Sequence, residues 1–186
     1  KRNMSRAGGG TIILNDISRS TGAASPGDPK RYPIAAYLKA MAWAMLRLMR
    51  DEDRLCRIGE FNADHMWTTI TTKTPPDVLL SWASSITASG GTRPDVSLMD
   101  VYQALKNDPE SVPESPDVVI LSDGEWPSMG LGEWAAKLRD EFSCRVYVVI
   151  PKADILATAT ASWRKDIAGI LPLPAGGADA FTDLGC

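Results

Sequence analysis

The sequence predicts an α/β domain in which helices cover both faces of a mainly parallel sheet. Short runs of apolar, β-branched residues alternate along the chain with stretches whose apolar residues recur at helical spacing. The strand-like runs lack an alternation of polar and apolar residues, as expected for strands buried on both faces. The length of 186 residues suits one domain with a substantial core.

The first elements follow a basic, glycine-rich opening. Residues 1–10 are predicted to form a flexible arm, and the domain is predicted to cover residues 11–186. Residues 11–14 form the first predicted strand, which is short and apolar. After a loop rich in Gly and Pro, residues 34–49 are predicted to form a helix that is apolar almost all round. Three basic residues mark its narrow solvent-exposed side: Lys39, Arg47 and Arg50.

A hairpin and two helices are predicted next. Residues 54–61 and 66–72 are strand-like and are separated by four residues, a typical hairpin length, so one strand should run antiparallel at an edge of the sheet. His65, in the predicted connection, is expected to be a surface residue. Helices are predicted over residues 76–86, where prolines open the first turn, and over residues 96–105.

The second half of the chain continues the alternation. Residues 117–121 form a predicted buried strand, 131–142 a helix and 145–150 another strand. The spacing of Trp163, Ile167 and Ile170 predicts a further helix, and residues 180–182 a brief last strand. Together these elements describe a Rossmann-like, doubly wound fold of three α/β/α layers.

Composition narrows the function. A net charge of -3 with mixed acids and bases provides no basic stripe for nucleic acid. No apolar run approaches the roughly twenty residues of a membrane span. The three cysteines are widely spaced and lack a C-x-x-C pair, which disfavours a zinc site or a disulfide framework. Cys56 and Cys144 are expected to be buried. A cytoplasmic location is therefore favoured, and an extracellular one stays open.

Oxygen-bearing side chains follow two of the predicted strands. Asp16 comes just after the first strand and Asp123 just after residues 117–121, where ligands bind in such sheets. Ser18 and Ser20 follow Asp16 at intervals of two residues. Carboxylate and hydroxyl oxygens suit Mg²⁺, Mn²⁺ or Ca²⁺ rather than zinc or copper. Alone, the pattern D-x-S-x-S is weak evidence, because an Asp followed by serines more often forms a helix cap or a turn.

The motifs resemble the metal-ion-dependent adhesion site of the von Willebrand factor A (vWA) domain family. That site combines D-x-S-x-S, a Thr after a glycine pair, and an Asp in a D-G at a strand end. The resemblance covers nearly the whole chain and implies a vWA fold. It also implies that one ion, Mg²⁺ or alternatively Mn²⁺ or Ca²⁺, is bound by five residues, some through water: Asp16, Ser18, Ser20, Thr92 and Asp123.

Two departures from the family pattern stand out. Residues 22–33 form a longer loop than usual between the serines and the first helix. The C-terminal helix that moves in some adhesive members is not expected here, which disfavours a switch of that kind.

The resemblance implies a non-enzymatic binding module, because the family includes extracellular adhesion proteins and intracellular members that assemble complexes. The metal would recruit an Asp or Glu of a partner protein, such as an AAA+ ATPase or another complex subunit. A structural subunit with a vestigial or purely stabilising metal site is the alternative. A metal-dependent hydrolase that uses Asp16 is disfavoured, because Ser18 stands where phosphoryl-transferring sites carry a second Asp.

Several apolar residues have two possible roles. Met41, Met45 and Met49 lie at helical spacing, which favours core packing over an adaptable partner surface. Trp126 and Met129 follow the D-G of the third motif and are expected beside the site. There they could anchor a partner or simply pack the loop.

Overall fold

The computed structural model describes residues 9–23, 32–126, 130–151 and 161–173, and these parts of the chain contain a six-stranded sheet and four α-helices. The strands are β1 (Thr11–Asp16), β2 (Cys56–Phe61), β3 (His65–Thr71), β4 (Asp117–Leu121), β5 (Arg145–Pro151) and β6 (Gly169–Leu173). The helices are α1 (Ile34–Asp51), α2 (Pro76–Ser84), α3 (Pro94–Asn107) and α4 (Leu131–Phe142). Short 3₁₀ helices lie at Arg19–Gly22, Pro109–Ser111 and Ser162–Asp166.

The strand order in the sheet is β3-β2-β1-β4-β5-β6. Of the strand pairs in the described residues, only β2–β3 is antiparallel, as predicted for the hairpin at the edge. The chain leaves β1 toward one edge of the sheet and returns to β4 on its other side, so the strand order reverses between β1 and β4. The predicted doubly wound α/β fold is confirmed.

Each face of the sheet has its own apolar core. On one face, α3, α4 and the 3₁₀ helix Ser162–Asp166 pack against β1, β4 and β5, with Leu98 and Leu138 fully buried. On the other face, α1 and α2 cover mainly β1 and β2, with Leu38 and Leu46 fully buried. Burying each of these leucines stabilises the fold by about 1.5–3 kcal/mol.

Cys56 and Cys144 are buried and unpaired, as predicted, and burial raises the pKa of each thiol to about 12. None of the described helices is both long and apolar enough to span a membrane.

Two residues at the end of the predicted N-terminal arm are hydrogen-bonded to the domain. Gly9 accepts a hydrogen bond from the Arg54 guanidinium (2.8 Å), and Gly10 accepts one from the backbone N–H of Asp117 (3.0 Å). These two residues therefore contact the domain, and residues 1–8 lie outside the described ranges.

Lys39 is not on the solvent-exposed side of α1, contrary to the prediction. Its side chain is 3% exposed, and its ammonium lies 2.7 Å from Glu60 Oε1 and 4.2 Å from the centre of the Trp82 ring. The ammonium also donates a hydrogen bond to the backbone carbonyl of Trp82 (3.1 Å), and the Trp82 indole donates one to Glu60 Oε1 (3.1 Å). The ion pair thus joins α1, β2 and α2, and the position that sequence periodicity assigned to solvent is covered by α2. Arg47 is exposed, as predicted.

The prediction of a helix from the spacing of Trp163, Ile167 and Ile170 is wrong. Trp163 lies in a short 3₁₀ helix, and the next residues form β6, which extends the parallel sheet beyond β5. Residues 169–173 form a strand because they pair with β5 and are largely apolar. The helical spacing of the three predicted residues does not reflect a helix. The strand predicted over residues 180–182 lies outside the described residues.

His65 is the first residue of β3 and not a surface turn residue. Its ring packs so closely over Gly59 that a Cβ at that position would overlap it. Nδ1 lies 3.1 Å from the Ser97 hydroxyl, and the ring makes an edge contact with Trp67. Burial, with the nearby charge of Arg57, lowers the pKa of His65 to about 4.

The Lys39–Glu60 pair yields a stability prediction. Glu60→Gln should lower the free energy of unfolding by about 3 kcal/mol, because it leaves a buried ammonium without its counter-charge. In urea denaturation, the double variant Lys39→Met/Glu60→Gln should be more stable than Glu60→Gln alone. Glu133→Gln is the matched control, since it removes an exposed i,i+4 pair with Lys137 and should cost at most about 0.5 kcal/mol. A double variant less stable than Glu60→Gln would contradict the interpretation.

His65 should make stability depend on pH. Its pKa in the folded state, about 4, lies below the ordinary value of 6.5, so the unfolded chain binds the proton more readily between these values. Stability should be fully present above pH 6.5 and fall as the pH drops toward 4. Because the ring is partly exposed, the loss attributable to it should be about 2 kcal/mol.

The measurement compares urea denaturation of wild type and His65→Gln between pH 7 and pH 4. Gln does not titrate, so the variant should lose less stability over this range. Equal losses in the two proteins would show that His65 is not held in its neutral form.

Candidate metal centre

The predicted metal-binding residues lie where the strand order reverses. β1 and β4 are parallel neighbours, and Asn15 of β1 is in register with Leu121 of β4. Asp16 is the last residue of β1, and Asp123 lies two residues beyond the end of β4. Both carboxylates are therefore at the carboxyl edge of adjacent strands, which is where doubly wound sheets bind ligands.

The loop after β1 turns back on itself through its own polar groups. The backbone N–H of Ser18 donates to Asp16 Oδ1 (2.8 Å), and the Thr21 hydroxyl donates to the Ser18 carbonyl (2.7 Å). The hydroxyl groups of Ser18 and Ser20 lie 3.1 Å apart. Asp16 and Ser18 are fully buried, and Ser20 is half-buried. The D-x-S-x-S spacing thus brings one carboxylate and two hydroxyls together.

The loop after β4 supplies a second carboxylate and a bridging hydroxyl. Ser122 donates a hydrogen bond to Asp16 Oδ2 and accepts one from the backbone N–H of Gly124 (3.2 Å). Asp123 Oδ1 accepts a hydrogen bond from the backbone N–H of Glu125 (3.0 Å). Gly124 has φ +85°, a left-handed conformation that favours Gly and explains the D-G pair.

Ser122 is a site residue that sequence reasoning missed. Its position just before Asp123 was visible in the sequence. Its contact with Asp16 depends on the register between β1 and β4, however, and the sequence alone does not fix that register.

Thr92 lies on the loop after α2, which is hydrogen-bonded to the loop after β1. The backbone N–H of Ser89 donates to the Ile17 carbonyl (2.8 Å), and that of Arg19 donates to the Gly90 carbonyl (3.2 Å). Thr92 follows this attachment and is half-buried. Among the described residues, hydrogen bonds connect Asp16, Ser18, Ser20 and Asp123, the last through Ser122, but none joins Thr92 to this group.

The two carboxylates of the site, Asp16 and Asp123, are both buried. Burial raises the pKa of Asp16 to about 6, although hydrogen bonds from Ser122 and Ser18 act in the opposite direction, and the charge of Asp123 raises it further. Among the described residues, none donates a hydrogen bond to the buried Asp123 Oδ2. A buried carboxylate oxygen without a donor is costly, and a cation beside it would offset that cost.

The side chains present fit a hard cation. In the parts of the chain that the structure describes, no three His, Cys, Asp or Glu side chains form a metal-binding group, so a cation here would depend on hydroxyls as well as carboxylates. Two carboxylates with serine and threonine hydroxyls are the ligands that Mg²⁺ accepts while keeping several waters. The unpaired oxygen of Asp123 is the observation that a cation would explain.

Trp126 packs the loop beside the site. Its ring centre lies 5.9 Å from that of the buried Trp163, and it contacts the core on the α3 and α4 face. Of the two predicted roles, loop packing is the one that the structure supports. Met129 lies outside the described residues.

Solved structures with the same fold are similar to this chain at low sequence identity. An aerotolerance-related membrane protein from Bacteroides fragilis has a TM-score of 0.56 and 19% identity, and the match covers 77% of this chain and 67% of that one. The conserved hypothetical protein BatB from Bacteroides thetaiotaomicron has a TM-score of 0.62 and 17% identity, with 95% of both chains covered. The VWA domain of SpRpn10 has a TM-score of 0.62 and 14% identity, with 95% of this chain and 93% of that one covered.

The chain therefore has the vWA fold. No protein-family model and no curated protein matches the chain.

The raised pKa of Asp16 yields a prediction for the metal-free protein. Because the pKa in the folded state, about 6, exceeds the ordinary 3.8, protonated Asp16 favours folding, and this advantage is lost as the pH rises through 6. At pH 7 in EDTA, Asp16→Asn should be more stable than wild type by roughly 3 kcal/mol, at about 1.4 kcal/mol per pKa unit.

Wild type and Asp16→Asn are compared by denaturation in EDTA at pH 7 and at pH 4.5. The extra stability of Asp16→Asn should be smaller at pH 4.5. Asp64→Asn, at an exposed hairpin position, is the matched control and should change little. A destabilised Asp16→Asn at pH 7 would show that the ionised carboxylate is already satisfied without a cation.

Proposed function

We propose that this domain binds one divalent metal ion, Mg²⁺ or alternatively Mn²⁺ or Ca²⁺, and uses it to recruit an Asp or Glu side chain of a partner protein. The residues proposed to hold the ion are Asp16, Ser18, Ser20, Thr92 and Asp123. The observation that carries the proposal is the buried Asp123 Oδ2, which has no hydrogen-bond partner among the described residues and lies in the loop bonded to Asp16 through Ser122.

The chain's own residues prepare the site for such an ion. The Ser18 N–H and the Ser122 hydroxyl orient the two oxygens of Asp16, and the Glu125 N–H orients Asp123 Oδ1. The ion supplies positive charge and a coordination position that water or an outside carboxylate can fill. Two ionised carboxylates balance the charge of a divalent ion, so a partner Asp or Glu would be held by direct coordination at the open position and not by an excess of positive charge.

The partner class rests on the resemblance to the vWA family. We propose a subunit of a larger assembly, with an AAA+ ATPase as one candidate. The free, buried Cys56 and Cys144 fit a reducing, cytoplasmic setting. This function requires no catalytic residue.

Metal binding is tested by thermal unfolding of EDTA-stripped protein. With Mg²⁺ at about 100 times its Kd, wild type should gain about 2.7 kcal/mol, or roughly 5–10 °C in Tm. Asp16→Ala should lose this response, and Asp64→Ala should keep it. The same titration with Mn²⁺ and Ca²⁺ ranks the ions. If wild type does not respond at millimolar concentrations of any of them, the metal proposal fails.

Recruitment of a carboxylate is tested separately with a displayed peptide library. Peptides bound in Mg²⁺ and released by EDTA should contain Asp or Glu, and each should lose binding when that residue is changed to Asn or Gln. Binding should also be absent in Asp16→Ala. A metal-dependent gain in Tm without any metal-dependent peptide would instead support the purely stabilising site.

A further inference from the structure

Arg19 lies in the middle of the D-x-S-x-S loop, directly after Ser18 and before Ser20. Its backbone position is fixed, because its N–H donates to the Gly90 carbonyl (3.2 Å) and because the short 3₁₀ helix after β1 begins at this residue. Ser18 and Thr21 of the same loop are fully buried, whereas the Arg19 side chain is exposed. The loop thus buries two of its small polar side chains and presents a guanidinium to solvent beside two proposed metal ligands.

The Arg19 guanidinium is available for an outside carboxylate. No acidic side chain in the parts of the chain that the structure describes forms an ion pair with it. Arg93, which directly follows Thr92, differs in this respect. Its side chain is 52% exposed, but its guanidinium donates three hydrogen bonds of 2.7–3.2 Å to the Asp95 carboxylate. Arg93 can therefore bind an outside acid only by breaking an existing pair, whereas Arg19 breaks none.

The charge of Arg19 matters because the proposed metal and its two acidic ligands, Asp16 and Asp123, together have little net charge. Arg19 adds a positive charge on the loop after β1. Glu125, which is exposed on the loop after β4, adds a negative charge on the other side of the same strand ends. These two side chains therefore favour a second acidic group of a partner on the β1 side of the site and disfavour one on the β4 side.

We propose that Arg19 selects partner segments that carry two acidic residues, one that coordinates the metal and a second that pairs with the Arg19 guanidinium. This inference rests on the proposed metal-dependent recruitment and narrows its class of partner. Arginine suits the role because its planar guanidinium donates two parallel hydrogen bonds to one carboxylate. The metal alone does not distinguish one carboxylate from another, whereas Arg19 favours a segment whose second acid lies at the matching distance.

A displayed peptide library tests the selectivity. Peptides that wild type binds in Mg²⁺ and releases in EDTA should carry two Asp or Glu residues at a fixed separation. Arg19→Glu should instead select peptides in which Lys or Arg replaces the second acid, because the charge beside the site is reversed. Arg47→Glu is the matched control with the same change of charge. Arg47 is exposed near the end of α1, where Met49 contacts Thr11 at the opposite edge of the sheet, so this variant should select the wild-type peptides.

A double-mutant cycle measures the pair itself. It uses one selected peptide and a variant of that peptide in which the second acid is changed to the amide. In wild type this change should weaken binding roughly tenfold, as expected for a charge-assisted hydrogen-bonded pair. In Arg19→Gln the same change should have little effect. Raising NaCl from about 50 to about 500 mM should also reduce the preference of wild type for the acid, because salt screens an exposed pair. Equal losses in wild type and Arg19→Gln would overturn the proposal.

The outcomes distinguish this inference from the proposed function. EDTA-released peptides that need only one Asp or Glu, or an Arg19→Glu preference identical to that of wild type, would overturn the role of Arg19 and leave metal-dependent recruitment standing. The absence of any EDTA-released peptide would overturn the recruitment itself, and the role of Arg19 with it. Arg19→Glu should keep the Mg²⁺-dependent gain in Tm, since Arg19 is not a proposed ligand, and this measurement shows that its altered preference does not come from a lost ion.

Discussion

The structure of the site depends on the parallel pairing of β1 with β4. This pairing places the ends of the two strands side by side, so Asp16 and the loop carrying Asp123 share one buried space. Two carboxylates in such a space repel one another and lose hydration. The surrounding contacts reduce that cost: Ser18 and Ser122 donate to Asp16, and Glu125 donates to Asp123. In the part of the chain that the structure describes, no group donates to the second oxygen of Asp123.

The two faces of the sheet differ in the polar groups that they bury near the carboxyl ends of β1 and β4. The face under α3 and α4 has a large apolar core and also contains the contact between His65 and Ser97 of α3. The face under α1 contains the buried Lys39–Glu60 pair. Asn15, in register with Glu60, is also buried, and its side-chain polar atoms have no hydrogen-bond partner in the described ranges. The ion pair fixes α2, which leads into the loop that carries Thr92. The polar groups under α1 thus connect the core to this loop of the site.

Sequence periodicity predicted most of the fold because strands buried on both faces have a strong apolar signal. It failed where tertiary contacts decide the outcome. The cost of burying the charge of Lys39 is offset by its contacts with Glu60 and Trp82. His65 can begin β3 because Gly59 has no side chain and leaves room for the His65 ring. Residues 169–173 became a strand through pairing with β5. None of these contacts can be read from local spacing.

The site was predictable to the extent that its motifs are local. Asp16, Ser18 and Ser20 lie in one loop at intervals of two residues, which allows their side chains to converge but is weak evidence until the family resemblance is added. The position of Asp123 followed from the strand before it. Ser122 was missed because its role arises from the register of two strands separated by more than a hundred residues. The relation of Thr92 to the other four depends on how the loop after α2 lies, which neither spacing nor composition determines.

The vWA fold fixes the positions of the strand ends but not the side chains around them. Identity to the similar structures is below 20%, so the shared fold determines where the strand ends lie but not what surrounds them. In this chain Arg93 is held by a two-pronged ion pair with Asp95, and Trp126 is packed against Trp163. The Trp126 contact is part of the core, whereas the Arg93–Asp95 ion pair lies at the surface, with the Arg93 side chain 52% exposed. Arg19 and Glu125 are exposed on the loops that carry Asp16 and Asp123.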